Sequence, residues 1–262
     1  MFRITTLNEP CSQMSADKLS VRMSPLLSEG IDLLCCQSIA HASTPKNTNQ
    51  DNETDLLADQ LRLTCSCFAA DRQQKNESTT NNKPLRGQAI FTGPGVWMLN
   101  SGSFAIGEDD CEEVVLFALV RKNGSSVLVF NFHLADSPKQ QALQLTDLFQ
   151  HSLLQTVYGA VAICTDRESL LSPKKWHNLS ATSCYTPFQF ESTSNGLLTL
   201  LNAKNGSITN YSMQLEQEKK TLPGLSLSVD IKRTQKNKRS RPSFPLSFRE
   251  QWLGYRDNRA FA

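Results

Sequence analysis

The segment SSVLVFNFHLADSPKQQALQLTDLF, residues 125–149, contains the signals for a strand, a turn and a helix in direct succession. Its first part, residues 125–134, is rich in the β-branched and aromatic residues that are typical of a strand. A Ser-Pro pair then supplies the residues that begin a helix, and apolar residues repeat at helical spacing within residues 137–155. The segment therefore predicts a β-strand that leads through a short turn into an amphipathic helix.

A second strand precedes this segment and is joined to it by a tight turn. Residues 112–122, EEVVLFALVRK, are strongly β-prone, and KNGS separates them from the next strand. An Asn-Gly turn between two such runs is a specific signal for a β-hairpin. After the predicted helix, GAVAICTD at 159–166 has the apolar composition of a buried strand, and it ends on an acidic residue.

Weaker patterns continue the alternation of strands and helices along the chain. They predict helical segments at 15–30 and 55–63, and strands at 3–8, 30–39, 95–100, 196–203 and 224–233. Such alternation favours a layered α/β protein. We expect a single domain over residues 1–262, with polar surface loops near 42–54, 71–84 and 232–243.

The composition limits the classes of function. With 262 residues, of which 39% are hydrophobic, the chain can bury a sizeable core. Its formal net charge of +2 gives no general attraction to nucleic acid or to a membrane surface. No apolar run has the length of a signal-peptide core or the roughly 20 residues of a membrane span. We expect a protein without a membrane segment.

The cysteines and tryptophans are interpreted as residues that pack in the interior. The eight cysteines lack paired C-x-x-C spacing and several stand inside apolar runs, which is typical of buried free thiols in a reducing compartment. This favours a cytoplasmic location. Trp97, Trp176 and Trp252 are interpreted as packing residues and not as a platform for a ligand.

Three polar residues stand where predicted apolar strands end: Asn8, His133 and Asp166. Strand ends carry chemistry in layered α/β proteins because the scaffold holds a side chain rigidly at the edge of the sheet. A histidine in this position is more often structural when it is considered alone. Each of the three signals is weak by itself, and the residues become candidates for one site through the resemblance that their order along the chain carries.

Together these segments resemble the endonuclease/exonuclease/phosphatase superfamily, which includes pancreatic deoxyribonuclease and the inositol-polyphosphate phosphatases. RITTLN resembles the opening strand that ends on a metal-binding asparagine, here Asn8, and SEGIDLLCCQSI resembles a strand that normally ends in Gln-Glu, which places Ser38 at the glutamate. GVWMLNSGSFAI is similar to a GVAILSR-PI segment, and VLVFNFHL is similar to the strand that ends in Thr-His-Leu, which supplies His133. The resemblance implies a deoxyribonuclease-I-like fold, in which two β-sheets form a sandwich flanked by helices.

The resemblance continues to the end of the chain. VAICTDRES resembles the strand that ends in Gly-Asp-Phe-Asn, with Asp166 at the aspartate and Glu168 at the asparagine. GYRDNRAFA resembles a terminal Ser-Asp-His segment, in which Asp257 is retained and Asn258 stands at the histidine. That histidine is the general base of the superfamily, and an asparagine amide cannot take up a proton near neutral pH.

The resemblance also implies a cofactor and the residues that would hold it. Members hydrolyse phosphate esters with Mg²⁺ or Mn²⁺, which the asparagine and the glutamate anchor. The hydroxyl of Ser38 is neutral and replaces a carboxylate poorly. Asp166, Glu168 and Glu9 are the candidates for the missing carboxylate, and His133 and Glu168 are the residues expected to contact a phosphate.

Three interpretations of function remain open. The first is a pseudoenzyme of this lineage that keeps a cleft for a phosphate-containing ligand but has weak or no hydrolysis. The second is an active Mg²⁺- or Mn²⁺-dependent phosphodiesterase or nuclease with a rearranged site. The third is a non-catalytic nucleic-acid-binding module, based on the basic run KRTQKNKRSR at 232–241. A solvated loop is the favoured explanation of that run, because it contains no aromatic residue that could stack on a base and the whole chain is nearly neutral.

Overall fold

The structure, a computed structural model, describes most of the chain up to residue 231. The described residues are 2–8, 21, 24, 30–41, 52–71, 85–108, 112–156, 159–193, 196–203, 208–215 and 224–231. Nearly all of the predicted helical segment 15–30, the polar stretches 42–51 and 72–84, and the loop predicted at 232–243 lie outside them.

Twelve strands and three α-helices make up the described secondary structure. The strands are Phe2–Asn8 (β1), Leu33–His41 (β2), Cys65–Ala70 (β3), Leu85–Thr92 (β4), Trp97–Ile106 (β5), Glu113–Lys122 (β6), Ser125–Phe132 (β7), Ala160–Thr165 (β8), Tyr185–Thr193 (β9), Gly196–Ala203 (β10), Ile208–Leu215 (β11) and Gly224–Ile231 (β12). The helices are Glu53–Gln60 (α1), Pro138–Gln150 (α2) and Pro173–Ser180 (α3), with a 3₁₀ helix at Ser152–Gln155.

The strands form two six-stranded sheets. Sheet A has the order β11-β12-β1-β2-β4-β3, and sheet B has the order β5-β6-β7-β8-β10-β9. Each sheet contains one parallel pair at its centre, β1 with β2 and β7 with β8, while the neighbouring strands run antiparallel. The paired parallel strands therefore bring several strand ends to the same edge of each sheet.

Three apolar clusters fill the spaces between the layers. An inner cluster of residues from both sheets, including Ile4, Cys35 and Val129, fills the space between sheet A and sheet B. A second cluster packs α2 and α3 on sheet B, and a third packs α1 on sheet A. This arrangement confirms the predicted sandwich of two sheets flanked by helices.

Local sequence signals explain the hairpin turn at residues 123–124 and the helix that follows β7. Asn123 and Gly124 adopt φ values of 50° and 82°, as a two-residue β-hairpin turn requires, and β6 pairs antiparallel with β7. Ser137 caps α2 by accepting a hydrogen bond from the Gln140 backbone N–H, and Pro138 occupies the first turn. The helix ends at Gln150 and not at residue 155, because His151 has extended backbone angles and begins the separate 3₁₀ helix.

Several elements were not predicted from the sequence patterns. Strands β3, β4, β9 and β11 and helix α3 were not predicted, and α1 begins at Glu53, inside the expected loop 42–54. The segment GQAIFT of β4 combines a glycine and a glutamine with apolar residues, so it shows no regular alternation although it is buried. β9 contains Pro187, a residue that weakens a strand prediction.

The packing expected of the tryptophans and cysteines is only partly found. Trp176 is buried, but Trp97 is 71% exposed at the start of the edge strand β5, so its interpretation as a packing residue is wrong. Trp252 lies outside the described residues. Cys35 of β2 and Cys164 of β8 are fully buried free thiols, whereas Cys65 is exposed. A hydrogen bond to Cys164, together with burial, raises the pKa of Cys35 well above its ordinary value.

A β-bulge interrupts sheet A, and Asn131 from sheet B fills the gap. Gln37 and Ser38 together face one residue of β4, because the pairing shifts between Cys36 and Ile39. The Asn131 Nδ2 donates to the carbonyl oxygens of Cys36 (2.9 Å) and Ala89 (3.0 Å). Its Oδ1 accepts a hydrogen bond from Gln37 Nε2 at 2.5 Å. One fully buried amide thereby joins the two sheets.

We predict that Asn131→Ala destabilises the protein by about 3 kcal/mol or more, because it removes the buried hydrogen bonds to two backbone carbonyls and to Gln37 Nε2 and also creates a cavity. Urea unfolding followed by circular dichroism measures the change. Asn100→Ala, on the edge strand β5, is the matched control and is expected to change the stability by less than about 0.5 kcal/mol. Equal effects of the two substitutions would contradict this role of Asn131.

Candidate active site

The predicted residues Asn8, His133 and Asp166 lie together where strands of the two sheets end. Asn8 is the last residue of β1, and His133 and Asp166 directly follow β7 and β8. The Asn8 Nδ2 donates to the backbone carbonyl of Asp166 at 3.5 Å, which joins sheet A to sheet B at this edge. We call this edge of the sandwich the site edge.

His133 and Asp166 form a close pair. The Nδ1 of His133 lies 2.9 Å from Asp166 Oδ2, and the other carboxylate oxygen accepts a hydrogen bond from the Leu134 backbone N–H at 3.0 Å. Asp166 is only 7% exposed, so the pair is largely shielded from water. The backbone contact fixes the carboxylate and the carboxylate in turn orients the imidazole ring.

A second carboxylate, Asp71, lies on the other side of the ring. The His133 Nε2 is 3.6 Å from Asp71 Oδ1, and the same oxygen accepts a hydrogen bond from Gln88 Nε2 at 2.8 Å. Asp71 was predicted to lie in the polar loop 71–84 and was not identified as a site residue. The feature that could have identified Asp71 is its position directly after β3, but this strand was itself not predicted.

The two carboxylates hold the imidazole in its charged form. Burial alone lowers the pKa of His133, but the interactions with Asp166 and Asp71 outweigh it and raise the pKa from 6.5 to about 10. Near neutral pH the ring carries a proton on both nitrogens. His133 is therefore a fixed cation that donates hydrogen bonds and is not a base.

Two further charged residues surround this group and were not predicted. Burial raises the pKa of Glu113, at the start of β6; the nearby carboxylates of Asp71 and Asp166 act in the same direction. The Arg167 Nε lies 3.5 Å from Asp166 Oδ2, and its guanidinium also pairs with Asp136. The site edge thus carries carboxylates on several strands, which His133 and Arg167 offset in part.

Ser38 occupies the position at which the resemblance implies a metal-binding glutamate. It has φ 55° in the bulge of β2, and its carbonyl oxygen accepts a hydrogen bond from Arg86 Nη1 at 3.0 Å. The neighbouring Gln37 is paired with Asn8 in the register of β1 and β2. The chain backbone therefore places Ser38 one residue beyond the strand position beside Asn8.

Of the two implied metal ligands, Asn8 suits a divalent ion and Ser38 does not. Asn8 Oδ1 is buried and accepts no hydrogen bond from the described residues, so it suits a metal. Ser38 offers a neutral hydroxyl in place of the charged ligand that anchors Mg²⁺ or Mn²⁺. Among the described residues, no group of three or more His, Cys, Asp or Glu side chains could hold a metal. The pair expected from the resemblance is thus incomplete.

Among the described residues, the side chain of Glu168 forms no hydrogen bond or ion pair with His133 or Asp166. It is exposed, and its backbone carbonyl accepts a hydrogen bond from Gln141 Nε2 at 3.2 Å. Asp257 and Asn258, the predicted counterparts of the terminal catalytic pair, lie outside the described residues, as does Glu9. Their predicted roles remain predictions.

Gln141 of α2 positions the loops that carry the site residues. Its Nε2 donates to the carbonyls of Ala135, after β7, and of Glu168, after β8. Its Oε1 accepts a hydrogen bond from the Leu170 backbone N–H at 2.8 Å. A buried glutamine thereby ties the segment after His133 to the segment after Asp166.

Similar solved structures have the same fold. An endonuclease/exonuclease/phosphatase family protein from Leptotrichia buccalis superposes with a TM-score of 0.60 at 9% identity, over 88% of this chain and 100% of that one. The human Nocturnin catalytic domain with bound sulfate gives 0.58 at 15% identity, over 87% and 93%. D. rerio TDP2 complexed with a single-strand DNA product gives 0.56 at 12% identity, over 87% and 97%.

No family model and no curated protein sequence matches the chain. At identities of 9–15% the structural likeness establishes the fold alone. The chain has the fold of the endonuclease/exonuclease/phosphatase superfamily, and the resemblance that the sequence predicted is confirmed at that level. In the part of the chain that the structure describes, no helix is both long and apolar enough to cross a membrane.

We predict that the His133 ring stays protonated through neutral pH and titrates near pH 10. Because its pKa is higher in the folded protein than the usual 6.5, its contribution to stability is complete below about pH 6.5 and is lost as the pH rises toward 10. Histidine NMR resonances and unfolding experiments across this range measure both effects. In Asp166→Asn the pKa should fall. A wild-type titration near pH 6.5 would contradict the charged pair.

Proposed function

We propose that this protein is a member of the phosphoesterase lineage that binds a phosphate-containing ligand at the site edge and hydrolyses phosphoesters weakly or not at all. The observation that carries the proposal is the position of His133 between Asp166 and Asp71, at 2.9 and 3.6 Å. A ring that is protonated on both nitrogens has no lone pair with which to activate water. The expected base, at Asn258, has no imidazole.

The absence of a negative charge at Ser38 supports the same proposal. Hydrolysis of a phosphate ester needs a cation that neutralises the phosphate and polarises the attacking water. Replacing the anchoring carboxylate by a hydroxyl removes a charged ligand, and the loss of one such group typically lowers a rate by about 10² or more. With the base also missing, ordinary turnover is not expected.

His133 supplies a binding contact in this proposal. A phosphate oxygen that approaches Nε2 would replace the long contact with Asp71, while the shorter contact with Asp166 continues to hold the ring. The ring would then donate a charge-assisted hydrogen bond to the ligand. Arg167, which is close to Asp166 and partly exposed, offers a second cationic donor at the same edge.

The solved structures with this fold are consistent with an anionic ligand. The Nocturnin domain contains a bound sulfate, and the TDP2 structure contains a single-strand DNA product. For this chain, nucleic acid remains an alternative ligand. An active Mg²⁺- or Mn²⁺-dependent nuclease or phosphodiesterase remains the alternative function, in which Asp166, Glu168 and Asp257 would form a rearranged site.

We expect no hydrolysis of bis-p-nitrophenyl phosphate or plasmid DNA above background with Mg²⁺ or Mn²⁺, because the charged metal ligand and the base are absent. The wild-type protein and His133→Ala should give the same rate. Ser38→Glu restores the charged ligand and is the variant in which a metal-dependent rate should first appear. The control Ser66→Glu places the same charge on the exposed edge strand β3 and should remain inactive.

The proposal is wrong if the wild-type protein shows metal-dependent turnover that His133→Ala abolishes. Binding is measured separately, by the NMR shifts of His133 and Arg167 on addition of inorganic phosphate or a single-stranded oligonucleotide. Shifts that are lost in His133→Ala support a phosphate site. Absence of shifts with both probes contradicts the binding part of the proposal.

A further inference from the structure

Strand β5 stands at the end of sheet B and has one side open. It is ten residues long and pairs with β6 alone. In the part of the chain that the structure describes, no strand pairs with its other side. An edge strand presents a row of backbone N–H and C=O groups with which another strand can pair. β5 can therefore accept a further strand.

β5 lacks the residues that protect most edge strands from other chains. Its sequence, WMLNSGSFAI, contains no charged residue and no proline. Natural edge strands usually carry one or the other, because both oppose pairing with a second chain. β3, the edge strand of sheet A that contacts β5, has the sequence CSCFAA and is uncharged as well. This side of the sandwich therefore presents two neutral edge strands to a partner.

A β-bulge limits the part of β5 with which a partner can pair. The pairing of β5 with β6 shifts between Met98 and Asn100, so Leu99 is the additional residue of the bulge. A bulge bends its strand and interrupts the regular ladder of hydrogen bonds. Beyond it, residues 100–106 pair with β6 in an unbroken register. A partner strand is therefore expected to pair over residues 100–106.

The start of β5 exposes two large apolar side chains. Trp97 is 71% exposed and Leu99 is 46% exposed. Among the described residues, only Val21 and Leu170 are other large apolar residues with such exposure, and neither lies on a strand. Tryptophan is enriched in the interfaces between protein chains. The exposed apolar surface at β5 thus indicates a contact with another protein chain.

The two ends of β5 lie beside charges of opposite sign. Arg121 is exposed and is paired with the first residue of β5, and Arg62 is exposed just before β3 begins. Glu113 is paired with the last residue of β5, and five of the six residues 108–113 are acidic. In an antiparallel pair, the start of one strand lies beside the end of the other. Two copies of β5 in such a pair therefore bring the basic end of each copy to the acidic end of the other.

We propose that two copies of this chain associate by antiparallel pairing of β5 with β5, which joins their copies of sheet B into one continuous sheet. Such a contact has twofold symmetry, so each copy uses the same surface. A second copy is the occupant that the charges favour, because the strand is neutral along its length and its ends complement each other. Centred pairing over residues 100–106 places Ser103 opposite the partner's Ser103.

The side chains that meet in this register are compatible. Ser103 is exposed and small, and Gly102 lies opposite the partner's Phe104, whose ring can cover the glycine backbone. The paired segment is short, so we expect a weak dimer with a dissociation constant of about 10 μM. The dimer needs no ligand at the site edge, and the inference therefore does not depend on the proposed function.

The test is sedimentation equilibrium of the full-length protein at concentrations from well below to well above the expected dissociation constant. Ser103→Lys and Ser103→Glu each place two like charges opposite one another, so each should weaken dimerisation about tenfold or more. An equimolar mixture of the two variants should dimerise at least as tightly as the wild-type protein, because opposite charges then face each other. Since Ser103 is exposed, neither substitution changes the core.

Asn178→Lys is the matched control, because it adds the same charge at an exposed position of α3, which contacts β9 at the opposite end of sheet B. It should dimerise like the wild-type protein, and circular dichroism checks that each variant is folded. The inference is overturned if the wild-type protein stays monomeric at every concentration. It is also overturned if folded Ser103→Lys dimerises as tightly as Asn178→Lys, or if the mixture of the two Ser103 variants dimerises no better than either alone.

Discussion

The contact between Asn131 and the bulge of β2 is the constraint on which the site edge depends. Backbone carbonyls at the bulge need a donor, and the donor comes from the facing sheet. Since Asn131 is fully buried, the two sheets must meet at one distance and in one register for all three of its contacts to form. An apolar side chain at this position would make none of these three contacts and so could not fix how the two sheets stack.

The same contact explains why His133 is held so firmly. His133 follows Asn131 by two residues, so the strand that inserts the amide between the sheets also delivers the imidazole to their edge. There it lies between Asp166, from its own sheet, and Asp71, which follows a strand of the opposite sheet. The charge state of the histidine is thus a property of the packed sandwich, and no segment of sequence contains it.

Local patterns predicted the parts of the fold that local physics determines. The Asn-Gly turn, the Ser-Pro start of α2 and the apolar strand before Asp166 all act within a few residues, and each was predicted from the sequence. Asp71 and Glu113 were missed because their partners are distant in sequence and meet only when sheet A stacks on sheet B. Gln88 was missed for a related reason: a glutamine inside β4 is meaningful only beside the bulge of β2.

Cys35 and Cys164 give the sandwich an internal reporter. Their thiols belong to opposite sheets, contact one another and have no exposed surface, and the raised pKa of Cys35 keeps it protonated. A thiol reagent reaches such residues only after the sheets separate, since the thiolate is the reactive form and must first be exposed. The rate of modification at these two cysteines therefore measures how often the inner core opens, whereas Cys65 on the exposed edge reacts without any opening.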